Sequence, residues 1–593
     1  MKKRFLFSMF LAAAFVAGAQ NGIKIYKGGV EVASYLSTEV DSVVFVENKA
    51  EEVIPDPTPE PEPEPEPAPS PIVTGAVKVL NYGGWFESGY AEWALVNGAT
   101  SYNVYCKGAS DDDSKYVKVD DMLVRNYGSY ARADVLGLSA GSYSMKIVPV
   151  VSGSESGSPT VVSFKAEAHD RDGFAHFNNP EGVGAYNNDG TLKDGAVVLY
   201  ITEKSKATVS LDVQTAAAKT TSCTGISAIL SALQKGYETR PICIRLIGQI
   251  TADGMTGSGD SNNLLVKASN DSRPVKNVTV EGVGNDATCY GFGVRAIRAH
   301  NFEVRNLAVM MFGDDGIAFQ DNNKHVWVHH IDFFYGATGS ASDQAKGDGS
   351  LDLKNDSQYM TLSYNHFWDS GKMSLCGMKS ETGPNYISYH HNWFDHSDSR
   401  HPRIRTMSVH VYNNYFDGVS KYGVGVTTGG SAFVEANYFR NVSKPMMSSG
   451  QGTDAKGEGT FSGENGGIIK SFNNYYTETP ATFSFVSHKD NATDFDAYEA
   501  SARDEKVPSS FKALKGGSAY DNFDTNSSLM YSCSPDPAED VAEIVKKESG
   551  RMNGGDFTWS FDNAVDDASY DVNKPLKDAI SSYKTKLVSV FGE

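Results

Sequence analysis

The sequence lacks an excess of basic residues. It has 593 residues, with 53 Lys and Arg against 73 Asp and Glu, and its formal net charge is −20. Phosphate backbones are bound by basic surfaces, so this balance argues against a nucleic-acid-binding protein. A chain this acidic would need a local cluster of cations, or a bridging metal ion, to hold an anionic polymer.

Closely spaced cysteine pairs are also missing. No CxxC pair occurs, which argues against a zinc site. A few cysteines in so long a chain do not make a disulfide scaffold, and we expect most of them to be small buried hydrophobic residues. The cysteines are Cys106, Cys223, Cys243, Cys289, Cys376 and Cys533.

Long hydrophobic runs are absent beyond the N-terminus. There, three basic residues precede the apolar run Phe5 to Val16, and Ala17-Gly18-Ala19 fits a cleavage site. The run is too short to span a bilayer, so the pattern predicts a signal peptide over residues 1–19. We therefore expect an exported, monomeric protein with no transmembrane anchor; a retained anchor is the alternative.

Composition divides the rest of the chain into four segments. Residues 20–49 form a short β-rich segment, and residues 50–74 form a Pro/Glu-rich linker in which alternating prolines impose an extended chain. Residues 75–166 alternate apolar and polar side chains in short runs, which predicts a small β-sandwich. This segment loosely resembles fibronectin type III modules, although another kind of sandwich would fit. Residues 167–593 form the fourth segment.

A short phrase recurs in that last segment. An asparagine is followed two places later by Phe or Tyr, at intervals of 27, 22, 23 and 37 residues. One or more short strands per repeat predict a parallel β-helix, in which the asparagines stack at a bend and the aromatic rings stack in the core. The asparagines are Asn365, Asn392, Asn414, Asn437 and Asn474.

Acids and bases occur in order along these repeats. Asp315, Asp348 and Asp352 come first, and carboxylates on adjacent coils repel one another unless a cation lies between them. Oxygen ligands suit calcium, whereas the alternative is an exposed acidic cluster. Lys372, Arg400 and Arg405 follow, and arginine matches a carboxylate in a bidentate manner. Together these residues indicate a groove for an acidic polysaccharide; surface salt bridges are the alternative for each cation.

The same motifs resemble polysaccharide lyases of the pectate lyase family. The resemblance rests on Asp348-Gly-Ser-Leu-Asp352, on Lys372 in Ser-Gly-Lys-Met-Ser-Leu, and on Arg400-x-Pro-x-x-Arg405, and it covers roughly residues 170–480. One position departs from the family pattern, because His329 stands where the family usually has Asp. The resemblance implies a right-handed parallel β-helix as the catalytic domain, so the fold class is all-β.

The resemblance also implies roles for these residues. Asp315, Asp348 and Asp352 would bind Ca²⁺, with Asp314 as a less certain fourth ligand. Arg400 would remove the C5 proton of galacturonate, while Lys372 and Arg405 would hold substrate carboxylates. The implied reaction is β-elimination on polygalacturonate or pectin. An arginine base favours high pH, because free guanidinium deprotonates only above pH ~12, so we expect an alkaline optimum.

Three other functions remain open. A pectin lyase would act on methylated polymer without calcium, and the retained Asp348, Asp352 and Lys372 disfavour it. A polygalacturonase-like hydrolase would use paired acids, and Gly313-Asp314-Asp315 resembles part of such a set. A non-catalytic pectin-binding solenoid would keep the groove without turnover.

The C-terminal segment from about residue 500 shows no active-site signature. Apolar spacing predicts helices over Pro535 to Ser549 and over Leu576 to Phe591. We expect this segment to cap or brace the solenoid, because an open solenoid end exposes its core.

Overall fold

The computed structural model describes residues 22–27, 30–36, 77–255, 263–337, 345–454 and 459–593. The predicted signal peptide, residues 1–19, and the Pro/Glu-rich linker, residues 50–74, lie outside the described residues. Gly22–Lys27 and Val30–Leu36 pair as an antiparallel hairpin. The hairpin belongs to one unit, Met1–Ala68. The sandwich and the solenoid belong to a second unit, Pro69–Glu593.

Residues 77–166 form two antiparallel sheets around one hydrophobic core. Alternate residues of Ser101–Gly108 are buried, as expected for a strand with one face on a core. Trp93 and Ile147 are fully buried between the sheets. The first sheet contains Val79–Trp85, Ser88–Ala94, Val124–Asn126, Tyr130–Leu136 and Ser589–Val590. The second contains Ser101–Gly108, Val117–Lys118, Gly141–Val151, Ser154–Glu155 and Thr160–Ala166.

The following residues form a parallel β-helix, as predicted, with three columns of strands. Successive coils pair in parallel register, so each coil lies directly on the one before it. Column 1 contains Val197–Ile201, Ile242–Thr251, Val275–Tyr290, Ala299–Arg305, Lys324–His329, Gln358–Ser363, Ile387–His390, Ser408–Tyr412, Ser431–Glu435, Ile468–Phe472 and Tyr498–Glu499. Column 2 contains Ala308–Met310, Asp332–Phe333, His366–Trp368, Trp393–Asp395, Tyr415–Asp417, Tyr438–Arg440 and Tyr475–Thr477. Column 3 contains Asn263–Lys267, Gly293–Ile297, Ile317–Gln320, Leu351–Leu353, Leu375–Cys376, Arg403–Arg405, Val424–Thr427 and Met446–Ser448.

The recurring asparagines stack between columns 1 and 2, as the sequence predicted. Each amide nitrogen donates to the amide oxygen of the next asparagine at 2.9–3.0 Å, from Asn365 through to Asn474. Two residues further on, the aromatic rings stack inside the core, with Phe416 and Phe439 centroids 4.3 Å apart. The repeat is therefore structural, and it sets the register of the coils.

Short helices cover the solenoid. Ile226–Leu233 places Ile226, Ile229, Leu230 and Leu233 on one face, and this stripe is buried in the solenoid core. Val541–Glu548 packs with Tyr415 of column 2. The remaining α-helices are Asn563–Asp566 and Lys574–Ser581, and a short hairpin joins Ser210–Ala216 to Lys219–Thr224. The 3₁₀ turns are Asp113–Lys115, Asp121–Leu123, Ser205–Ala207, Phe523–Thr525 and Met552–Gly554.

The predicted helix over Leu576 to Phe591 is wrong in its second half. The helix ends at Ser581, and Ser589–Val590 instead pairs antiparallel with Arg125 and Asn126 of the first sandwich sheet. Leu587 and Phe591 pack against the sandwich core, and this long-range packing overrides the local helical pattern. The C-terminal segment thus braces the side of the solenoid and returns to the sandwich.

All six cysteines are free. Five of them are buried, and Cys533 is partly exposed. Within the described part of the chain, no helix is long and apolar enough to cross a bilayer.

Candidate active site

The predicted site residues lie on consecutive coils, in column 3 strands or just before them. Asp352 and Arg405 are in strands, and the others come two or three residues before a strand. Backbone hydrogen bonds give the alignment: Ser350 donates to the carbonyl of Lys372, at 3.0 Å, and Ser374 donates to the carbonyl of Arg400, at 2.9 Å. Gly316 donates to the carbonyl of Gly349 at 2.9 Å, which places Asp315 on the coil before Asp348. Residues spread over 86 positions of sequence therefore meet because the coils stack in register.

Three carboxylates meet on the first two of these coils. One oxygen each from Asp314, Asp315 and Asp348 lies within 4.8 Å of the others. Burial raises the pKa of Asp315 to about 8, and the carboxylate of Asp352 adds to the rise, while Lys354 opposes it. An oxygen-only donor set that is costly to ionise without a counter-ion fits a hard divalent cation such as Ca²⁺.

Asp352 is not one of these three carboxylates and has other partners. Its carboxylate accepts a hydrogen bond from the backbone N–H of Leu375, at 2.9 Å, and lies 3.1 Å from Lys354 Nζ. Lys354 Nζ also contacts Asp315, at 2.5 Å, so it bridges these two carboxylates. Asp352 lies close to Gly349, where a Cβ would be 2.5 Å from its Oδ1. The glycine therefore allows the close approach of the chain that brings the acids together.

Lys372 and Arg400 extend the row of charged groups. Lys372 Nζ is 3.0 Å from Asp348 Oδ1, so the lysine borders the carboxylate cluster. Arg400 lies on the next coil and is partly exposed. Among the described residues, no carboxylate lies within salt-bridge distance of its guanidinium, in contrast to Arg403 and Arg405. The Arg400 side chain is thus partly exposed and not held by a carboxylate of the described residues.

Arg405 is engaged by the protein itself. It forms a bidentate pair with Glu464, at 2.8 and 3.0 Å, and it is largely buried. Arg403 and Lys379 contact the same carboxylate, at 3.0 and 3.2 Å. Burial opposes ionisation of Glu464, but hydrogen bonds from Arg405 and Thr427 and the charges of both arginines hold its pKa well below the usual range.

A family model described as "Pectate lyase" matches residues 200–552, more than half of the chain. The chain belongs to the pectate lyase family. The matched region contains all three strand columns and every predicted site residue.

Curated relatives support the same family. A pectate trisaccharide-lyase from Bacillus licheniformis is 32% identical over 226 residues, which is 37% of this chain and 62% of that protein. Pectate lyase B from Dickeya chrysanthemi is 29% identical over 219 residues, covering 34% of this chain and 58% of that protein. The chain thus spans about six tenths of the length of these relatives.

Solved structures of low identity also align with this pectate lyase domain. A pectate lyase from Bacillus sp. N165 in complex with trigalacturonate is 22% identical, with a TM-score of 0.44 over 64% of this chain and 99% of that chain. Pectate lyase C from Erwinia chrysanthemi, solved with Ca²⁺, is 20% identical, with a TM-score of 0.40 over 62% of this chain and 95% of that chain.

The lyase domain contains site neighbours that were not predicted from the sequence. Lys354 directly follows the strand Leu351–Leu353 and lies two residues beyond Asp352, so the alternation of side chains along an extended chain could have placed both on one face. Glu464 lies 59 positions beyond Arg405, and no local pattern connects them. His329 stands where the family usually has Asp. It is buried, lies 3.2 Å from Glu303 and is not part of the acidic cluster.

Proposed function

We propose that this protein is a calcium-dependent pectate lyase that cleaves α-1,4-linked galacturonan by β-elimination. One observation carries the proposal: consecutive coils align the acidic cluster, Lys372 and Arg400 just before their column 3 strands. A polyanionic chain lying across these coils would meet, in order, a cation-binding site, an ammonium group and a guanidinium group.

The calcium site would use Asp315 and Asp348, with Asp314 as a third ligand. The structure pairs Asp352 with Lys354, so we propose that Asp352 contributes to the site after that pair rearranges. When bound, Ca²⁺ would neutralise a substrate carboxylate and stabilise negative charge that develops beside it.

The chain's own residues would then orient and deprotonate the sugar. Lys372 would bind the C6 carboxylate, which makes the C5 proton more acidic. Arg400 would accept that proton; the C5–H electron pair forms the C4–C5 double bond as the C4–O4 bond breaks. The departing oxygen takes a proton from solvent, which leaves one new reducing-end fragment and one unsaturated fragment.

Arg405 is a positioning group in this proposal. Its bidentate pair with Glu464 holds the Arg403–Arg405 strand. We propose that Arg405 reaches substrate only when Glu464 releases it and pairs with Lys379 instead. Direct binding of a substrate carboxylate by Arg405, as the resemblance implied, requires that exchange.

The test is a continuous assay of unsaturated product on polygalacturonate, with added Ca²⁺ or with chelator. We expect ultraviolet absorbance to rise, and chelator to abolish the rise. Asp315→Asn should need at least ~10-fold more Ca²⁺, because it removes a charged ligand. Asp578→Asn is the matched control, since Asp578 is exposed and outside the groove.

Each other outcome points to a different function. Product that ignores chelator, on methylated polymer, would indicate a pectin lyase. New reducing ends without absorbance would indicate hydrolysis, and polymer binding without any product would indicate a binding solenoid. The proposed export rests on the basic and apolar residues of 1–19, which lie outside the described residues, and secretion of the full-length chain into the periplasm or medium would test it.

A further inference from the structure

Three buried histidines meet where the chain leaves the sandwich and joins the solenoid. His169 follows the last sandwich strand, His329 ends the column 1 strand Lys324–His329, and His330 lies at the bend after it. Their exposed fractions are 6%, 0% and 2%. Their ring centroids are 4.6–5.1 Å apart, and one ligand atom from each lies within 4.8 Å of the others.

The nitrogens of this histidine cluster are incompletely satisfied. His329 Nε2 lies 3.2 Å from Glu303 Oε1, and His329 Nδ1 lies 2.8 Å from His330 Nδ1. His169 Nδ1 and His330 Nε2 are buried, and neither has a hydrogen-bond partner among the residues that the structure describes. Leaving a buried nitrogen without a partner destabilises the folded state, so two in one cluster call for a ligand.

A second histidine pair, at the equivalent bend two coils later, has no unsatisfied nitrogen. His390 and His391 have the same Nδ1–Nδ1 contact, at 2.9 Å. Their remaining nitrogens are satisfied: His390 Nε2 lies 3.1 Å from the Asp172 carbonyl, and His391 Nε2 lies 2.9 Å from Asp536. A pair of adjacent histidines at this bend can thus have all its nitrogens satisfied without any ion.

The surroundings of the cluster favour neutral imidazoles. Burial, with the charge of Arg305 and of neighbouring histidines, holds the pKa values of all three well below the usual range, and Arg171 adds to the lowering for His169 and His329. Neutral imidazole is the form that binds metal ions. Both arginines are engaged by Glu87, at 2.6 and 3.3 Å, which limits their repulsion of a cation.

We propose that His169, His329 and His330 form a Zn²⁺ site that fastens the segment after the sandwich to the solenoid. Imidazole ligands suit zinc, whereas calcium takes oxygen ligands, so this site is chemically distinct from the acidic cluster. Glu303 would orient His329 through its Nε2–H, as carboxylates commonly do for metal-binding histidines. The rings of Trp85 and Phe86 cover the cluster, 5.1 Å from His330 and 5.0 Å from His169.

The proposed site differs in its ligands from the zinc site that the cysteine pattern argues against. The absence of a CxxC pair excludes only a cysteine-based zinc site, whereas this one uses histidines from two distant segments. It does not depend on the proposed lyase function, because none of its residues belongs to the groove.

The experiment titrates ZnCl₂ into the full chain after chelator treatment, with excess Ca²⁺ present to fill the carboxylate site. We expect one zinc per chain by calorimetry and metal analysis, and an unfolding temperature several degrees higher with zinc. Co²⁺ in place of zinc should give visible absorption bands of a site with nitrogen ligands.

Variants separate the cluster from other zinc-binding residues. His169→Gln should abolish tight binding, and Glu303→Gln should weaken it ~10–100-fold. His391→Gln, in the satisfied pair, should bind zinc as the wild type does. No stoichiometric zinc in the wild type, or equal affinity in His169→Gln, would overturn the proposal. If His169→Gln does not fold, zinc-edge X-ray absorption of the wild type decides, since an oxygen-only shell would also overturn it.

Discussion

The arginines of one short segment have different environments. Arg403 and Arg405 are tied to Glu464, but Arg400, on the same coil, has no acidic partner among the described residues. Identical side chains a few residues apart thus differ in whether a carboxylate holds them. In the proposed mechanism, Arg400 can accept a proton from substrate without first breaking an ion pair.

Replacing Arg400 tests its role as the base. Arg400→Lys should lower kcat by ~10²–10⁴-fold, the usual contribution of a general base, with a smaller change in KM. The measurement is initial rate on polygalacturonate at saturating Ca²⁺. Arg240→Lys is the control, because Arg240 is an exposed residue paired with Glu238 at 2.7 Å. Equal losses in both variants would contradict the assignment.

The wild-type pH profile tests the same assignment. Since guanidinium must lose a proton to act as a base, the rate should rise from about pH 6 to about pH 10. A flat rate over that range would argue against an arginine base.

The stacked asparagines are the element that holds the coils in register. Asn414 is buried and donates to the carbonyls of Tyr389 and Tyr412, at 3.0 Å each, while accepting from Asn392. Asn474 ends the row and is only partly buried. Interior members therefore satisfy more buried backbone than the last member does.

Alanine substitutions along the row should show this gradient. Asn414→Ala should cost about 3 kcal/mol, because it leaves several buried polar groups unpaired, whereas Asn474→Ala should cost about 1 kcal/mol. Thermal unfolding at fixed Ca²⁺ measures the difference. Equal losses would mean that the asparagines do not act through these hydrogen bonds.

A second element, residues 556–571, is held on column 2 by charge. Asp567 contacts His396 at 3.2 Å and Arg440 at 2.6 Å. Burial alone would lower the pKa of His396, but hydrogen bonds to Asp395 and Asp567 and the charge of Asp417 raise it to about 10. A raised pKa means that folding favours the protonated ring, so its stabilisation is complete below pH ~6.5 and is lost as pH approaches about 10.

The pH dependence of stability tests this contact. From neutral pH to about pH 10, the unfolding temperature of the wild type should fall further than that of His396→Gln. The difference between the two curves isolates His396 from other groups that titrate there. Parallel curves would show that His396 is not protonated in the folded protein.

At the scale of the whole molecule, the sandwich and the solenoid share one core. Ile247 and Val283 of column 1 and Val590 near the C-terminus are buried among the sandwich residues. Arg125 of the sandwich donates to the carbonyl of Val283 at 3.0 Å, and Glu87 pairs with Arg305 at 3.3 Å. Because the two parts bury their surfaces together, we expect them to unfold in one transition.

Two valines near the C-terminus test this coupling. Val590 is 4% exposed, whereas Val588, two residues earlier, is 62% exposed. Val590→Asp should destabilise the protein by about 3 kcal/mol, because it buries a carboxylate in the shared core, and Val588→Asp should have little effect. Calorimetry should then show a separate, earlier transition for Val590→Asp alone. A single transition at the wild-type temperature would refute a shared core.

The solenoid and the order of the charged residues along it were predictable from the sequence. The regular spacing of Asn and aromatic residues encodes one coil at a time, and stacking in register then brings Asp315, Asp348, Lys372 and Arg400 together. These positions are predictable because each depends on a local repeat and on the constant geometry of adjacent coils.

The tertiary structure alone decided the contacts between distant segments. Three contacts join segments that no shared sequence pattern connects. They are Arg405 with Glu464, Ser589–Val590 with the sandwich, and His169 with His329. Such contacts depend on how whole elements pack, since burial and charge pairing act through space and leave no periodic pattern along the chain.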